Sequence, residues 1–306
     1  MERILISGGN GLIGRHLSQK LTGRGYQVAI LSRSGKPGGN LLSYYWDPDN
    51  NEMDPEAVDA ADYIIHLAGA NIGEKRWTPK RKQEILDSRV KPGQLIFNSV
   101  KANSGKLKAF ISASATGYYG AIGSQQIFRE TDPPALDYLG ETCRQWEQSA
   151  LQFESAGIRT VMIRTGVVLS PKGGALSKMA TLVRYGLGSP LGSGRQFLPW
   201  IHLDDLCEIY IKALEDRQMN GAYNAVSPAI TTNKEFYKTL ARVLKKPLWL
   251  PPVPSFVLKI VLGEMSAMLL EGSRVSSVKI RAAGFNFRFP ELQGALNDVM
   301  NSSSYQ

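Results

Sequence analysis

Short apolar runs and amphipathic stretches alternate along the first half of the chain. Runs of strand length occupy residues 3–7, 26–32, 62–70, 108–115 and 158–166, with a weaker one at 43–47. Helical periodicity covers residues 12–24, 78–102 and 137–156. Strands separated by helices of this length predict βαβ crossovers and a parallel sheet. The pattern therefore predicts an α/β protein with a Rossmann-like doubly wound parallel sheet.

The alternation of predicted strands and helices becomes less regular after residue 166. Residues 167–202 combine a helical stretch, a glycine-rich loop at 185–197 and a short strand. The proline cluster LWLPPVP predicts a connection and not a helix interior. Further helices are predicted at residues 203–216, 233–245 and 254–271.

This change divides the chain into two predicted domains. Residues 1–166 form a Rossmann domain, to which some later segments return, and residues 167–306 form a smaller mixed C-terminal domain for a substrate. A length of 306 residues, with 43% hydrophobic and 21% charged residues, is ordinary for a soluble protein. The apolar run at 253–270 is broken by Lys259 and Glu264, so it predicts a buried or amphipathic helix. Because no signal peptide precedes the first strand, we expect a cytoplasmic protein and no membrane partner.

Cysteines, histidines and net charge limit the kinds of partner. Cys143 and Cys207 are far apart and the three histidines do not cluster, so we expect neither disulfides nor a metal. The net charge is +9, but basic residues are dispersed, and the densest cluster, at 75–83, contains Trp77 and Pro79. We expect a small-molecule substrate and no nucleic acid, with a solvated basic surface or a phosphorylated ligand accounting for the charge. A homodimer is left open.

The segment SGGNGLIG follows the first strand and opens the first helix. Gly8, Gly11 and Gly14 have GxxGxxG spacing in the strand–turn–helix setting that a dinucleotide-binding loop requires. Gly8 permits the turn, Gly11 lets the backbone reach a pyrophosphate, and Gly14 lets the helix pack on the strand. Amides at the start of the helix then hold the phosphate. A purely structural turn is the alternative.

The second strand ends in Ser32-Arg33-Ser34. NAD-selective sites place a carboxylate there to accept the ribose hydroxyls, whereas a guanidinium can pair with a 2′-phosphate. This position therefore favours NADP(H) as the cofactor. An ordinary exposed arginine is the alternative.

Two further strand ends carry small residues or hydroxyls. His66 is followed by Leu67-Ala68-Gly69, where small residues allow either close passage of a cofactor or tight helix–sheet packing. Ser114 lies at the end of KAFISASA, where its hydroxyl serves a reaction or is satisfied locally.

The motifs GGNGLIG, HLAGA, SASATGYYG and WIHLDDL together resemble the extended short-chain dehydrogenase/reductases, the nucleotide-sugar epimerase/dehydratase group. RWTPKRKQEILDSRV, IRTGVVLSPKGGAL and LLEGSRVSSVKIRAAGFNFRFPELQGAL are similar to a poorly characterised "epimerase family" subgroup of atypical members. The resemblance covers nearly the whole chain. It implies a nucleotide-binding Rossmann domain that uses NADP(H), a small C-terminal substrate domain and no known substrate.

The resemblance also implies individual cofactor contacts. The residues that it assigns to the cofactor are Gly8, Asn10, Gly11, Leu12, Ile13, Gly14, Ser32, Arg33, Leu67, Ala68, Gly69, Glu84, Arg89 and Val168. Arg89 lies on the long predicted helix beside the cleft, and for Glu84 a solvated helix face is the alternative. Val168 belongs to the segment near the nicotinamide. His202 and Asp204 match a turn that we expect to be structural.

The reductase mechanism of this superfamily needs a Ser or Thr, a Tyr, and a Lys four residues after the Tyr. Ser114 and Tyr138 match as the catalytic residues, but the fourth residue after Tyr138 is Thr142. Threonine carries no charge that lowers the pKa of a phenol, so a buried Tyr138 should stay protonated. Arg144 lies nearly two helical turns further on and points elsewhere. The triad is therefore incomplete.

Two functions are compatible with this incomplete triad. The first is an NADP(H)-dependent oxidoreductase or epimerase-like enzyme acting on an unknown small carbonyl or sugar-like substrate. Its lid would be the loop at 185–197, where Arg195 could meet an anionic group. An irregular connector is the alternative for this loop. The second is a redox sensor or regulatory protein that binds NADP(H) without turnover.

Overall fold

The computed structural model describes residues 1–34, 41–102, 107–123 and 125–301. Its strands are β1 (Arg3–Ser7), β2 (Gln27–Ser32), β3 (Leu42–Asp47), β4 (Glu52–Met53), β5 (Tyr63–His66), β6 (Ala109–Ala115), β7 (Ile127–Phe128), β8 (Arg159–Thr165), β9 (Val167–Leu169), β10 (Trp200–His202), β11 (Gly221–Ala225) and β12 (Arg274–Val275). Its helices are α1 (Leu12–Gly23), α2 (Glu56–Asp59), α3 (Pro79–Ala102), α4 (Tyr138–Ser155), α5 (Gly174–Arg184), α6 (Leu203–Glu215), α7 (Asn233–Val243), α8 (Ser255–Leu262), α9 (Ala267–Leu270), α10 (Val278–Ala282) and α11 (Leu292–Asn301). Short 3₁₀ helices lie at Thr116–Tyr119 and Gly263–Ser266.

Eight strands form one sheet in the order β11-β8-β6-β5-β1-β2-β3-β4. Neighbouring strands are parallel except for β3 and β4. The chain runs outwards from β1 to β3 and then returns past β1 to β5, so the strand order reverses between β1 and β5. The predicted doubly wound sheet is confirmed, and its switch point lies where Ser7 pairs with His66.

Alternating residues of the strands face two separate cores. Ile4 and Ile6 of β1 pack on one side with residues of α1 and α6, while Leu5 packs on the other with residues of α3 and α4. Strands buried on both faces lack polar alternation, which is why Ile4, Leu5 and Ile6 are three apolar residues in succession. Both faces of the sheet are therefore covered by helices.

Segments after residue 167 contribute both to the sheet and to a third core. Helix α6 packs on the face formed by Ile4 and Ile6, and β11 pairs with β8 at the edge of the sheet. Helices α5, α7 and α11 form the third core together with Leu169 and Trp200 of the parallel pair β9–β10. The boundary at residue 166 stays a prediction.

Two predicted elements differ from the structure. The helix expected over 254–271 is wrong as a single element, because Gly263 adopts φ +61° and separates α8 from a 3₁₀ turn and α9. Helix α8 also contains no fully buried residue, so the buried alternative of the predicted buried or amphipathic helix is wrong. The strand expected over 62–70 ends at His66, which leaves Leu67–Ala70 as a loop at the sheet edge. Among the described helices, none has the length and hydrophobicity needed to cross a bilayer.

Candidate functional site

The glycine loop makes a tight turn at the carboxyl end of β1. Gly8 has φ +73°, and a Cβ on it would lie 2.8 Å from the backbone carbon of Leu67. A Cβ on Gly14 would lie 2.4 Å from the carbonyl oxygen of Gly8. Gly9 is equally confined, because a Cβ there would lie 2.4 Å from the side chain of Ile30. Three glycines of this loop are therefore required by close packing, and Gly9 was missed by the spacing argument.

The start of α1 is left open by the same turn. Gly11 caps the helix, no side chain donates or accepts a capping bond there, and the first turn holds no acidic residue. Asn10 and Gly11 are exposed, whereas Leu12 and Ile13 are half-buried. A Cβ on Gly11 would meet only the carbonyl oxygen of Gly8, at 3.2 Å. The amides of this turn can therefore receive an anion.

The end of β2 presents a cation to solvent. Ser32 is buried, with its hydroxyl 3.0 Å from that of Ser34, and Arg33 is exposed. In the described part of the chain, no carboxylate lies within ion-pair distance of Arg33. Residues 35–40, which follow, lie outside the described ranges.

The loop after β5 lies against the glycine turn. The amide of Leu67 donates to the carbonyl of Ser7 (3.0 Å), and that of Ala68 lies 3.4 Å from the Ser7 hydroxyl. Val168 reaches the same region, since a Cβ on Gly174 would lie 3.9 Å from Leu12 and 4.0 Å from the Val168 carbonyl. The fold thus brings Gly8, Leu12, Leu67, Ala68 and Val168 to one edge of the sheet.

A buried polar pair, Ser7 and His66, lies next to this edge of the sheet. The Ser7 hydroxyl lies 2.6 Å from Nδ1 of His66, and Nε2 of His66 lies 3.4 Å from the backbone carbonyl of Arg89. Burial lowers the pKa of His66 to about 4, so the ring is neutral at neutral pH. In the sequence, His66 marks only the end of a strand, and nothing next to it indicates this pair.

Arg89 joins the cofactor edge to the rest of the site. Its guanidinium donates to the carbonyls of Ala70 (3.1 Å) and Ile85 (2.9 Å) and lies 5.0 Å from the ring of Trp146. The Cα of Gly69 faces it, because a Cβ there would lie 3.3 Å from Cζ of Arg89. Burial lowers the pKa of Arg89, and its hydrogen-bond acceptors within the described chain are neutral.

Glu84 lies one turn earlier on the exposed side of α3. Its carboxylate accepts a bond from the buried Arg81 at 3.1 Å. The solvated helix face that the sequence left open therefore describes the surroundings of Glu84, and no described contact links it to the glycine loop.

Ser114 belongs to a buried charged network. Its hydroxyl donates to Glu147 at 2.6 Å, and Glu147 accepts two further bonds, each 2.8 Å, from the guanidinium of Arg164. Arg164 also donates to the hydroxyl of Tyr119 (2.9 Å) and stacks 3.4 Å from the ring of Tyr118. The Ser114 hydroxyl is thus satisfied locally. Glu147 and Arg164 carried no sequence motif, because each looks like an ordinary helix or strand residue.

Tyr138 begins α4 and has different partners. Its hydroxyl donates to the backbone carbonyl of Lys82 at 3.1 Å, and its ring lies 5.0 Å from that of Trp77, edge to face. Thr142 donates its hydroxyl to the carbonyl of Tyr138 at 2.7 Å. Burial raises the pKa of Tyr138, while Thr142 and Arg89 act in the opposite direction. The phenol is therefore protonated at neutral pH, as the sequence predicts.

The two residues predicted to be catalytic are not joined by any hydrogen bond between described groups. Arg144 pairs with Glu141 at 2.7 Å and does not reach Tyr138, as its helical position predicts. Arg89 was assigned to the cofactor, yet it is also a cation close enough to influence Tyr138. Sequence spacing could not reveal this pair, because its members lie on different helices.

A pocket of about 500 Å³ lies beside Tyr138. Trp77, Ala121 and the start of α4 form one side, and Lys259 with parts of residues 263–271 forms the other. The loop at 185–197, predicted to be a lid, contacts Val253 and Leu269 beside the second wall. The amide of Gly192 donates to the carbonyl of Val253 (2.8 Å), and Gln196 donates to that of Leu269 (2.7 Å). Arg195 is exposed.

The WIHLDDL turn is structural in its contacts. His202 caps α6 by accepting from the amide of Asp204 at 3.1 Å, and its Nε2 lies 3.3 Å from Asp298 without hydrogen-bond geometry. Asp204 lies 2.6 Å from the imidazole of His16 and joins α6 to α1.

Comparison with known proteins identifies two matched segments. Residues 4–225 match the NAD dependent epimerase/dehydratase family, and residues 253–299 match a domain of unknown function, DUF1731. The second match contains one wall of the pocket beside Tyr138, and the first contains the other.

Individual relatives match over nearly the full length. Epimerase family protein SDR39U1 of Mus musculus is 37% identical over 301 residues, which cover 97% of this chain and 99% of the relative. The crystal structure of human epimerase family protein SDR39U1 (isoform2) with NADPH has a TM-score of 0.87 at 34% identity, covering 98% of this chain and 100% of that one.

A further solved structure is that of a nucleoside-diphosphate sugar epimerase from Corynebacterium glutamicum. It has a TM-score of 0.79 at 30% identity and covers 97% of this chain but 58% of that one. The resemblance drawn from the sequence motifs is confirmed by these matches. The chain belongs to the NAD dependent epimerase/dehydratase family.

Proposed function

We propose that this chain binds NADP(H) at the carboxyl edge of its sheet. The observation that carries the proposal is the open start of α1, where uncapped amides follow a turn closed by Gly8 and Gly14. This arrangement fits a pyrophosphate, because the turn leaves room for an anion. A side chain at Gly11 would narrow that space. The human relative crystallised with NADPH supports the choice of coenzyme.

Arg33 is the residue that we assign to the adenosine 2′-phosphate. It is exposed at the end of β2, where a carboxylate would repel that group and a guanidinium would pair with it. Leu67, Ala68, Gly69 and Val168 line the continuing edge towards Arg89. We assign them to the ribose and nicotinamide half of the coenzyme.

The activity that we propose is an oxidoreductase reaction on a small carbonyl or sugar-like compound. NADPH, when bound, would supply a hydride, which is one proton with two electrons, to a carbonyl carbon. Tyr138 gives its phenolic proton to the carbonyl oxygen, the carbonyl π bond becomes the new O–H bond, and solvent returns a proton to the phenolate. Arg89 favours that phenolate, because its charge acts to lower the pKa of Tyr138.

A catalytically silent NADP(H)-binding sensor is the second candidate. Its supporting observation is that Ser114 is occupied by Glu147 and Thr142 by a backbone carbonyl. Tyr138→Phe distinguishes the two candidates. An oxidoreductase loses at least about 100-fold in single-turnover rate, whereas a sensor has no turnover to lose and keeps its coenzyme affinity.

Calorimetry on the Arg33→Ala variant tests the coenzyme assignment. We expect NADPH binding to weaken about 10–100-fold, because one charge-assisted contact is lost, and NADH binding to stay nearly unchanged. Arg217→Ala is the matched control, since Arg217 is exposed in the turn before β11, at the opposite edge of the sheet. Equal affinity for both coenzymes before and after Arg33→Ala would refute the assignment.

A further inference from the structure

The pocket beside Tyr138 differs in chemistry from the cofactor edge. Its volume of about 500 Å³ suits a small organic ligand. Tyr138 lines it, and Arg89, whose charge acts to lower the pKa of Tyr138, lies against Gly69 at the cofactor edge. A ligand in this pocket would therefore lie next to the proposed proton donor.

The walls of the pocket are mainly carbon. Trp77 and Leu139 belong to a small core with Ile85 and Met265, and Ala121, Tyr138 and Leu262 pack against it. The indole N–H of Trp77 donates to the carbonyl of Ile72 at 3.0 Å, so its polar atom is already used. Ala267 and Leu270 add aliphatic surface from α9.

The charged residues that line the pocket are mostly acidic, and Arg76 lies against Gly263, another lining residue. Asp137, Glu264 and Glu271 line it, with Lys259 as the one basic residue among the described lining residues. Asp137 accepts from the amides of Gly140 (2.8 Å) and Ala121 (2.9 Å), so the start of α4 already holds a carboxylate. Lys82, beside Tyr138, pairs with Glu264.

This set of groups disfavours a diphosphate. Enzymes hold diphosphates with arginines, lysines or open helix starts. Here the helix start is capped by an acid, and Lys82 is already paired with Glu264. Among the lining residues, three carboxylates stand against one lysine. The carboxylates would repel a diphosphate, and the repulsion would be stronger because the site is partly desolvated.

The protonated phenol of Tyr138 favours a ligand that carries a hydrogen-bond acceptor. The Tyr138 hydroxyl now donates to the Lys82 carbonyl, and a carbonyl oxygen of a ligand could replace that acceptor. An uncharged ligand would not be repelled by the acidic residues that line the pocket. It would also bury its carbon surface against Trp77 and Leu270.

We propose that this pocket binds an uncharged, predominantly apolar carbonyl compound and excludes nucleoside-diphosphate sugars. The inference rests on the proposed function, because it takes Tyr138 as the group that meets the reacting oxygen. It departs from the sugar-nucleotide chemistry named for the Corynebacterium glutamicum structure.

Calorimetry with a matched pair of ligands tests the inference. Methyl 6-formyl-2-naphthoate and its free acid have the same ring system, but only the acid is charged. Both are titrated into the full chain, with NADP⁺ present so that no turnover occurs, and again without coenzyme; UDP-glucose is the third ligand. We expect the ester to bind at least about tenfold more tightly than the acid, and UDP-glucose to give no heat.

Two variants locate the binding. Ala267→Trp places a large ring in the pocket and should abolish ester binding. Ala156→Trp makes the same change at an exposed position at the far end of α4 and should leave it intact. Retained NADPH binding by both variants shows that they are folded.

The outcomes separate this inference from the proposed function. Tighter binding of the acid, UDP-glucose binding that Ala267→Trp abolishes, or ester binding insensitive to Ala267→Trp would each overturn the inference. Absence of NADPH binding would overturn the proposed function, while the titrations without coenzyme would still test the pocket.

Discussion

Gly11 and Gly14 belong to one loop, but only Gly14 is enclosed by other backbone atoms. A Cβ on Gly14 would overlap Gly8 and Gly9, whereas a Cβ on Gly11 would meet one carbonyl oxygen at 3.2 Å. Spacing alone assigns both glycines to a ligand loop. The structure separates a glycine needed for packing from one whose open side is available to a ligand.

Replacing each of these glycines by alanine should therefore affect different properties. We expect Gly14→Ala to lower the free energy of unfolding by about 1–3 kcal/mol through overpacking. Gly11→Ala should cost less than about 1 kcal/mol and weaken NADPH binding at least about tenfold. Urea unfolding and calorimetry measure the two effects. Equal losses of stability in both variants would contradict the distinction.

His66 should make stability depend on pH. Its pKa is about 4 when folded, against about 6.5 when unfolded, and His202 is likewise lowered to about 4 by burial. Between these values the unfolded chain binds more protons, so the free energy of unfolding falls as pH drops from about 6.5 to 4, by roughly 3 kcal/mol for each histidine. Below pH 4 neither histidine adds a further loss.

Chemical denaturation across this pH range measures that loss. His66→Gln should remove about half of the two-histidine contribution, because His202 remains. A variant with an unchanged pH slope would show that His66 does not titrate as described.

Helix α4 shows which parts of the site a sequence can predict. Its bounds, Tyr138–Ser155, agree closely with the predicted 137–156 because apolar periodicity and a capping Asp137 mark it locally. The glycine loop and Arg33 are equally local, since each depends on residues next to a strand end. The partners of Ser114 and Tyr138 are not local. Glu147 meets Arg164, and Tyr138 meets Lys82, only after α4 has packed against a strand and another helix.

Two of the glutamates of α4, Glu147 and Glu141, should differ sharply in their contribution to stability. Glu147→Gln leaves the buried Arg164 without its counter-ion and should cost about 3–5 kcal/mol. Glu141→Gln is the control, because its pair with Arg144 is exposed and should be worth less than about 1 kcal/mol. Urea unfolding of both variants compares them, and similar costs would show that the Glu147–Arg164 pair is not a strong internal contact.

At the scale of the whole molecule, the sheet depends on distant parts of the chain. The sequence predicts the class of sheet, which is doubly wound and parallel. Periodicity could not assign α6 and β11 to that sheet, because both follow the β9–β10 insertion. Leu203, Leu206, Ile209, Ile211 and Leu214 of α6 are all buried against or beside the sheet. The first 166 residues therefore lack a large part of the core that covers β1 and β8.

A chain truncated after Gly166 should not fold. Burial of each large apolar side chain contributes about 1.5–3 kcal/mol, so the loss of α6 is comparable to the roughly 5–15 kcal/mol that stabilises a typical protein. We expect no cooperative thermal transition by circular dichroism. A chain ending at Asn301, the last described residue, keeps all described contacts and should retain the transition. A folded 1–166 fragment would establish the predicted boundary as that of an independent domain.

The late arrival of β11 also matters during translation. Strand β8 leaves the ribosome before its outer neighbour has been synthesised, so a nascent chain carries an open row of amides and carbonyls while the intervening segment is made. Such a row can pair with another unfinished chain. Crowded polysomes and rapid refolding at high concentration are therefore the conditions under which this protein should aggregate most readily.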